Sequence, residues 1–553
     1  MSDDTRPWHG IYDDFGVPHS LDYPDVPVHA LLAEAAEEHP EMGFRHGDRH
    51  RTYDDVWERV ERIATALAAR GVAPGDRVAT VLPTSLAFVE AEHAISRCGA
   101  VHVPNDFLVA EDDLAYRLDR AAPAAMVADA RHADLAAALA DEVGIGELVL
   151  ADVTGEGRDA VPDGADLDDP DWLEDLAGAD REPPEVAFDP ADDVHTLLFT
   201  GGTTGQPKGC QLTHRNLVAN ARQSAAAQSR VSTLMEGDAT VINALPLYHA
   251  YGYTTCHMFV DLAVDHLLVD DPRDTEHIVD LIQEYDPIVM LGVPTQFMEV
   301  VDEGEDLNVV GVSGSAPLAS ETRDSFNESS AGMTQGYGLS EMSPVTHFDV
   351  EGLLEGVTGT AQRELAEDVP TIGIPVPDTE VALRDPETGD RIALDRAAAE
   401  DDVTAEMLLD GPQRMKGYLD GDRSPFTEDG MLPTGDVVKL DEDGRFYVVD
   451  RVKDMINVSG LKVYSEEVDE VLTAHPDVTA GATIGVPDPE RPGSERVKVV
   501  VERADGDITA DDVRDHLEGR VAKHAVPSEV AFVDELPRTP IGKVDKERLR
   551  DGD

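Results

Sequence analysis

The densest set of phosphate-binding groups in this chain is the run Phe199-Thr200-Gly201-Gly202-Thr203-Thr204-Gly205-Gln206-Pro207-Lys208-Gly209. Its glycines let backbone N–H groups close on a polyphosphate, its threonine hydroxyls donate, and its lysine supplies a compact positive charge. It is not a Walker A loop: Gly209 follows Lys208 where Ser or Thr is needed, and the glycines are spaced differently. Taken alone, the run is equally compatible with an ordinary surface turn. Composition singles out the lysine. The chain carries nine lysines against thirty-five arginines, and Lys208 is the only lysine before Lys416.

Six further stretches place polar residues on short turns. They are Pro246-Leu247-Tyr248-His249, Ser313-Gly314-Ser315-Ala316-Pro317, Gln335-Gly336-Tyr337-Gly338-Leu339-Ser340-Glu341, Thr434-Gly435-Asp436, Asp450-Arg451-Val452-Lys453-Asp454 and Pro537-Arg538-Thr539-Pro540-Ile541-Gly542-Lys543. In order and spacing, these stretches and the glycine loop resemble the adenylate-forming superfamily of acyl-CoA synthetases, adenylation domains and luciferases. The resemblance runs from about Thr52 to Arg548. It is nearest to the fatty acyl-CoA ligase group, on Gly201 where many members have serine, Pro-Leu-Tyr-His, Asp271-Pro272-Arg273-Asp274, Ile374-Pro375-Val376-Pro377, and Val458-Ser459-Gly460 before Val463-Tyr464.

The resemblance implies two reactions at one site. A carboxylate attacks the α-phosphorus of ATP to give acyl-adenylate and pyrophosphate, and the CoA thiol then displaces AMP. Bringing two anions together requires a metal, hydrogen-bond donors and fixed positive charge. By resemblance, Thr200, Gly201, Gly202, Thr203, Thr204, Gly205 and Lys208 hold the β- and γ-phosphates. Glu341 binds Mg²⁺, with Thr200 as a second contact and Ser340, where the family usually has Thr, at a phosphate. Gly314, Ser315, Ala316 and Pro317 form one wall of the adenine site, and Gln335, Gly336, Tyr337 and Gly338 the other. Asp436 takes the ribose hydroxyls, and Arg451 reaches the ribose from beyond a hinge at Asp450. Lys543 meets the α-phosphate and the attacking carboxylate. Gly460 lines the pantetheine tunnel, and His249 gates or lines the acyl site. Lys453 and Lys462 either serve the active faces of the small domain or simply solvate it. Tyr248, Tyr251, Gly252, Met258, Gly292, Val293 and Phe297 are acyl-pocket candidates; we read the two small glycines as leaving room for a medium or long chain. Two features depart from the family pattern: Met431 stands where most members carry Trp, and Arg391 to Asp410 lacks the usual Pro-Gly-Glu lead. The partners implied are a small-molecule carboxylic acid, ATP and CoA.

Hydrophobic periodicity supplies the elements that must hold these residues. Val26 to His39 reads as a helix. Thr52 caps an amphipathic helix with Val56, Val60, Ile63 and Leu67 on one face and Gly71 just past its end. Strands are expected at Arg77 to Leu82, Ala100 to Pro104, Val194 to Phe199, Val241 to Leu245, Ile288 to Gly292 and Val309 to Ser313. Helices are expected at Ser85 to Arg97 and, capped by Thr213, at Asn216 to Ala227. Thr154 to Asp193, acidic and rich in Pro and Gly, reads as a long surface spacer. Glu380 to Leu440 reads as β-rich. The last hundred residues read as α+β, with helices at Ser465 to His475 and Ala510 to Leu517 and strands at Ala482 to Val486 and Arg496 to Glu502. The expected fold is α/β: a large N-terminal domain of α/β sheets with a β-rich subdomain, residues 1–449, and a small mobile α+β C-terminal domain, residues 450–553.

Composition bounds the setting. With 553 residues the chain is too long for one core. Its formal charge of −69, spread along the whole length, makes a self-repelling surface suited to high salt and points to a halophilic source. That sign disfavours nucleic acid and anionic membrane as partners. Cys98, Cys210 and Cys256 are far apart and offer neither a disulfide framework nor a zinc spacing, which fits a reducing cytoplasm. The acidic start does not read as a signal peptide, and no apolar run approaches a membrane span. A homodimer is one assembly the sequence leaves open. Two alternatives stand beside the ligase reading. One is an acyl- or aryl-adenylating enzyme with another acid or a carrier-protein acceptor, which the lack of a carrier domain after Asp553 disfavours. The other is a non-catalytic nucleotide-binding relative, disfavoured by the presence of both Lys208 and Lys543.

Overall fold

The computed structural model describes residues 6–551 apart from 107, 163–169, 201–206, 305–306, 317, 319, 354–370, 401–402, 422–423, 460, 490, 492–493, 504–507 and 539–543. Two large, mainly parallel sheets form its framework. The first has eight strands in the order Gly417–Tyr418, Lys208–Thr213, Val194–Thr200, Val101–Asn105, Arg77–Val81, Ala125–Asp129, Glu147–Ala151 and Asp171–Trp172. The second has nine, in the order Ile374–Pro375, Val345–Phe348, Ser330–Gly338, Leu307–Ser313, Val289–Gly292, Thr240–Asn243, Asp265–Leu268, Gly43–His46 and Arg49–Thr52.

The helices form where caps and apolar stripes coincide. Thr52 accepts from the Asp55 N–H and starts the helix Tyr53–Ala69. Its Val56, Val60, Ile63 and Leu67 are fully buried, facing the helix Leu86–Arg97. Burying each such side chain stabilises the fold by about 1.5–3 kcal/mol. Ser85 caps Leu86–Arg97 in the same way. Thr213 and Asn216 exchange bonds in a capping box that starts the helix His214–Ala227.

A five-stranded antiparallel sheet follows, in the order Arg391–Ile392, Glu380–Arg384, Ala405–Asp410, Leu432–Leu440 and Phe446–Arg451. The C-terminal unit has its own three-stranded sheet, Val478–Pro487, Glu495–Arg503 and Glu529–Val533, with the helices Ser465–Thr473 and Ala510–Leu517. Val468, Leu472, Val499, Val501, Val513 and Leu517 form a core separate from that of the large sheets. Among the described residues no helix is long and apolar enough to cross a membrane.

One expectation is corrected. The segment Thr154 to Asp193 is not all spacer. It contains the edge strand Asp171–Trp172 and the short helix Leu173–Leu176, whose Trp172, Leu173 and Leu176 are buried. Apolar burial there outweighs the surrounding acidic, Pro- and Gly-rich composition. Between the glycine loop and the Thr213-capped helix lies an element that the periodicity did not reveal. It is the strand Lys208–Thr213, in which buried Cys210 and Leu212 flank the half-buried Gln211.

Candidate active site

Strands Val194–Thr200 and Lys208–Thr213 form an antiparallel hairpin with Thr200 opposite Lys208 and Phe199 opposite Gly209. The loop it closes holds Gly201, Gly202, Thr203, Thr204 and Gly205, which lie outside the described residues. Thr200 Oγ1 donates to the Lys208 carbonyl at 3.4 Å. A Cβ at Gly209 would meet Leu197 Cδ1 at 2.8 Å and Leu419 Cβ at 3.2 Å, so this position packs closely under two leucines. Lys208 Nζ sits 5.3 Å from the centre of the Tyr418 ring, a cation–π distance. On the other side, the Tyr418 hydroxyl donates to Glu341 Oε1 at 2.6 Å. Burial and the Glu341 carboxylate push the Tyr418 phenol up, so it stays a donor. Tyr418 thus joins Lys208 to Glu341, two residues expected to serve one polyphosphate. Sequence reasoning missed it. The available signal was Lys416, a rare lysine two residues before it, which pairs with Asp192 at 2.7 Å.

A second cluster forms around Asp436. It faces Arg451 directly across the antiparallel pair Leu432–Leu440 and Phe446–Arg451. Arg451 Nε donates to Asp436 Oδ1 at 2.8 Å, and the Tyr337 hydroxyl donates to Oδ2 at 2.6 Å. Burial and Asp436 raise the Tyr337 phenol well above its ordinary range. The Asp436 N–H donates to Thr434 Oγ1 at 3.0 Å, which fixes the turn that aims the carboxylate. Two residues expected at the nucleoside, Tyr337 and Arg451, therefore meet at the third, Asp436.

The strand carrying Tyr337 links the two clusters. Ser313 and Gln335 are paired residues of adjacent parallel strands, so the turn at Gly314, Ser315 and Ala316 opens beside Gln335 to Gly338. Ser315 has φ +67°, and a Cβ at Gly314 would meet the Tyr251 ring at 2.7 Å. Gln335 Nε2 donates to the Thr371 carbonyl at 2.6 Å. Gly336 pairs with Phe348, and a Cβ at Gly338 would run into the Pro344 carbonyl. Ser340 and Glu341 form the next 3-10 turn, where the Ser340 carbonyl accepts from Cys210 Sγ at 3.6 Å. Pro317 lies outside the described residues.

His249 precedes the helix Ala250–Asp261, its ring 4.9 Å from that of Tyr248. Burial lowers its pKa, with Asp106 opposing. The reading of Gly252 and Gly292 as room for an acyl chain is corrected. A Cβ at Gly252 would meet the Pro246 carbonyl oxygen at 2.5 Å, and one at Gly292 would meet Gln296 at 2.7 Å and Phe297 at 3.0 Å. Both glycines admit neighbouring protein atoms. Phe297 is a core residue, edge-to-face with Phe326 at 4.9 Å. Tyr251 spans from its helix to the Val312 carbonyl, 3.0 Å from its hydroxyl.

Asp450 is fully buried at the end of the strand Phe446–Arg451. Its carboxylate accepts from the Arg451 N–H at 2.7 Å, the Ser465 hydroxyl at 3.1 Å and the Ser465 N–H. Burial pushes its pKa up to about 7, against the opposing charge of Lys546. Lys546 Nζ also bonds Ser465 Oγ at 2.8 Å and Asp469 at 2.7 Å. Lys453 is exposed, and Lys462 lies 4.0 Å from Glu387. Gly460 and Lys543 lie outside the described residues.

Comparison with known proteins gives a consistent picture. Residues 32–419 match the family described as AMP-binding enzyme, and residues 467–543 match the AMP-binding enzyme C-terminal domain. A feruloyl-CoA synthase of Amycolatopsis sp. is 32% identical over 515 residues, covering 92% of this chain and 94% of its own. A long-chain-fatty-acid–CoA ligase of Bacillus subtilis is 29% identical over 576 residues, covering 98% and 97%. Among solved structures, ATP-bound MatB from Rhodopseudomonas palustris matches with a TM-score of 0.78 at 27% identity, over 95% of this chain and 99% of its own.

Proposed function

The chain belongs to the AMP-binding enzyme family, and from that premise we propose an acid–thiol ligase. It uses ATP to convert a carboxylic acid to an acyl-adenylate with release of pyrophosphate, then passes the acyl group to CoA with release of AMP. One observation carries this reading. A single stretch of chain brings Tyr337 to Asp436 and Arg451, and Glu341 to Tyr418 and Lys208. The strand ends at Gly338 and turns at Ser340, so the two clusters sit a few residues apart on one continuous segment.

Each group then has a task. Asp436 would accept from the ribose hydroxyls while Tyr337 and Arg451 hold its orientation. Lys208 and the hydroxyl of Thr200 would steady the phosphates as charge shifts toward the leaving pyrophosphate. The Glu341 carboxylate and the Thr200 hydroxyl are hard oxygen donors and fit Mg²⁺. Bound there, the ion would neutralise phosphate charge, and Tyr418 would orient the carboxylate that holds it. Lys543 would approach the α-phosphate from the small domain, and Gly460 would line the path of the CoA arm. We place the division between residues 1–449 and 450–553, with Asp450 as the hinge. Its bonds to Ser465 support that role, because they tie the last strand of the β-rich sheet to the first helix of the C-terminal unit.

For the acid, a fatty chain is supported by the long-chain-fatty-acid–CoA ligase relative. A compact aromatic acid is the second reading, favoured by the feruloyl-CoA synthase relative and by the protein atoms packed against Gly252 and Gly292. We also infer a cytoplasmic setting, supported by three free, buried cysteines, and a surface adapted to high salt.

Pyrophosphate release in high-salt buffer, measured across fatty and aromatic acids with and without CoA, tests these points together. Acid-dependent pyrophosphate and a CoA thioester are expected. No acid-dependent pyrophosphate would overturn adenylation, and pyrophosphate without thioester would move the acceptor to a carrier protein. Lys543→Ala should slow adenylation yet spare thioester formation from supplied acyl-adenylate; equal loss in both steps would contradict the moving domain. Full activity in low salt would refute the high-salt reading.

A further inference from the structure

The residues on either side of the stretch that bears Lys543 are tied together. Arg538 and Val544 pair as an antiparallel bridge, and the Asp545 N–H donates to the Pro537 carbonyl at 2.7 Å. The helix Lys546–Asp551 begins directly after. Its Leu549, with Leu536 from before the stretch, is buried against Ala482, Ile484 and Val500 of the C-terminal sheet. Lys543 and Lys546 are three positions apart, so the chain between them spans at most about 11 Å.

Lys546 points inward from the start of this helix, with its side chain 12% exposed. Its Nζ lies 2.7 Å from Asp469 Oδ2, 2.8 Å from Ser465 Oγ and 3.5 Å from Glu466 Oε1. The Ser465 hydroxyl has a single proton, which it donates to Asp450 Oδ1 at 3.1 Å while it accepts from Lys546. The chain of bonds therefore has one direction, from ammonium to hydroxyl to the carboxylate of Asp450. A second tie runs beside it. Arg550, one turn further along the helix, donates to buried Asp454 Oδ1 at 2.7 Å, and the Asp454 N–H donates to the Arg451 carbonyl at 2.9 Å. Both ties lead from the end of the Lys543 stretch to the turn that starts at Asp450.

The residue type at 546 is informative. Arginine outnumbers lysine thirty-five to nine in this chain, yet lysine stands here. Three acceptors converge on one point, which suits a compact ammonium and not a planar guanidinium fork. Resting on the reading of Lys543 as the group that meets the α-phosphate and of Asp450 as the hinge, we propose that Lys546 is a positioning residue for adenylation. It fixes the C-terminal end of the Lys543 stretch to Ser465, and through Ser465 to the hinge carboxylate. The hinge and the segment that carries the reacting lysine then move as one unit, so a turn about Asp450 delivers Lys543 to a set place. Thioester formation does not use Lys543 and does not need this tie.

The test measures the two half-reactions separately on the full-length protein in high salt: acid-dependent pyrophosphate release, and CoA thioester formation from supplied acyl-adenylate. Lys546→Met/Asp469→Asn removes the ammonium together with the buried charge it compensates. The kcat of adenylation should fall about tenfold, the scale of a modest misplacement of a reacting group. The KM for ATP and the thioester rate should hold at wild-type values. Added to Lys543→Ala, the same change should slow adenylation no further, because it acts through the group already removed. Ser465→Ala keeps every charge and should give the same split between the half-reactions at smaller size, which decides the matter if the first variant does not fold. Unchanged adenylation, equal loss in both half-reactions, or a loss that adds to that of Lys543→Ala would overturn the positioning role. If Lys543→Ala alone left adenylation intact, the role of Lys543 itself would fall; a slow Lys543→Ala beside a fully active Lys546 variant would overturn only the role of Lys546.

Discussion

Replacing Asp436 by Asn keeps the shape of the nucleoside cluster and removes its charge. Two contacts feel the change: the Tyr337 hydroxyl at 2.6 Å and Arg451 Nε at 2.8 Å. A hydrogen bond to a charged acceptor contributes about 1.5–3 kcal/mol and one to a neutral acceptor about 0.5–1.5 kcal/mol, so the Tyr337 bond should weaken by about 1 kcal/mol. The Arg451 side chain is 43% exposed, so solvent screens its loss to about 1 kcal/mol or less. A ribose hydroxyl would lose the same charge assistance as Tyr337, about 1 kcal/mol, or roughly fivefold in affinity. Asp436→Asn should therefore raise the KM for ATP in pyrophosphate release about fivefold, with little change in the KM for CoA. Stability should fall by about 1–2 kcal/mol. Tyr337→Phe should be strongly non-additive with it, because the two changes remove the same bond. An unchanged KM for ATP, or additive effects in the double variant, would refute the assignment of this carboxylate to the ribose.

Three further outcomes are expected. Tyr418→Phe frees the Glu341 carboxylate from its hydroxyl partner and should raise the Mg²⁺ needed for half-maximal pyrophosphate release by about tenfold; an unaltered Mg²⁺ titration would count against this role. Gly338→Ala drives a methyl group into the Pro344 carbonyl, which is backbone and cannot rotate away, so a loss of about 1–3 kcal/mol should appear in chemical denaturation. Asp450 titrates at about 7 in the folded protein and near 3.9 when unfolded. Its contribution is therefore full below about pH 4 and is lost as pH rises through 7. Asp450→Asn should remove this dependence, on the order of a few kcal/mol across the window; identical pH–stability curves for wild type and variant would contradict it.

What could be read from sequence divides along physical lines. Helix starts at Thr52, Ser85 and Thr213 were legible because a capping hydroxyl and an apolar stripe are local signals. The strand Lys208–Thr213 was not, because glycine next to Lys208 hides the alternation that Cys210 and Leu212 begin. Gly252 and Gly292 show a different limit. A missing side chain admits either a ligand or a neighbour, and only the positions of Pro246 and Phe297 decide between them. The resemblance assigned Tyr337, Asp436 and Arg451 to one nucleoside but not to one another, and their mutual contacts, like Tyr418, appear only in the fold.

The pairing of Thr200 with Lys208 sets which changes of length the phosphate loop can absorb. Residues added between the paired positions lengthen the loop and leave both ends where they are. One residue added between Gly209 and Thr213 would instead shift the register of the pair. Because side chains alternate along a strand, that step would turn the Lys208 ammonium to the opposite face and bring the buried pair Cys210 and Leu212 out of the core. Related chains should therefore differ in loop length on the N-terminal side of the lysine and hold a fixed count from the lysine to the helix His214–Ala227.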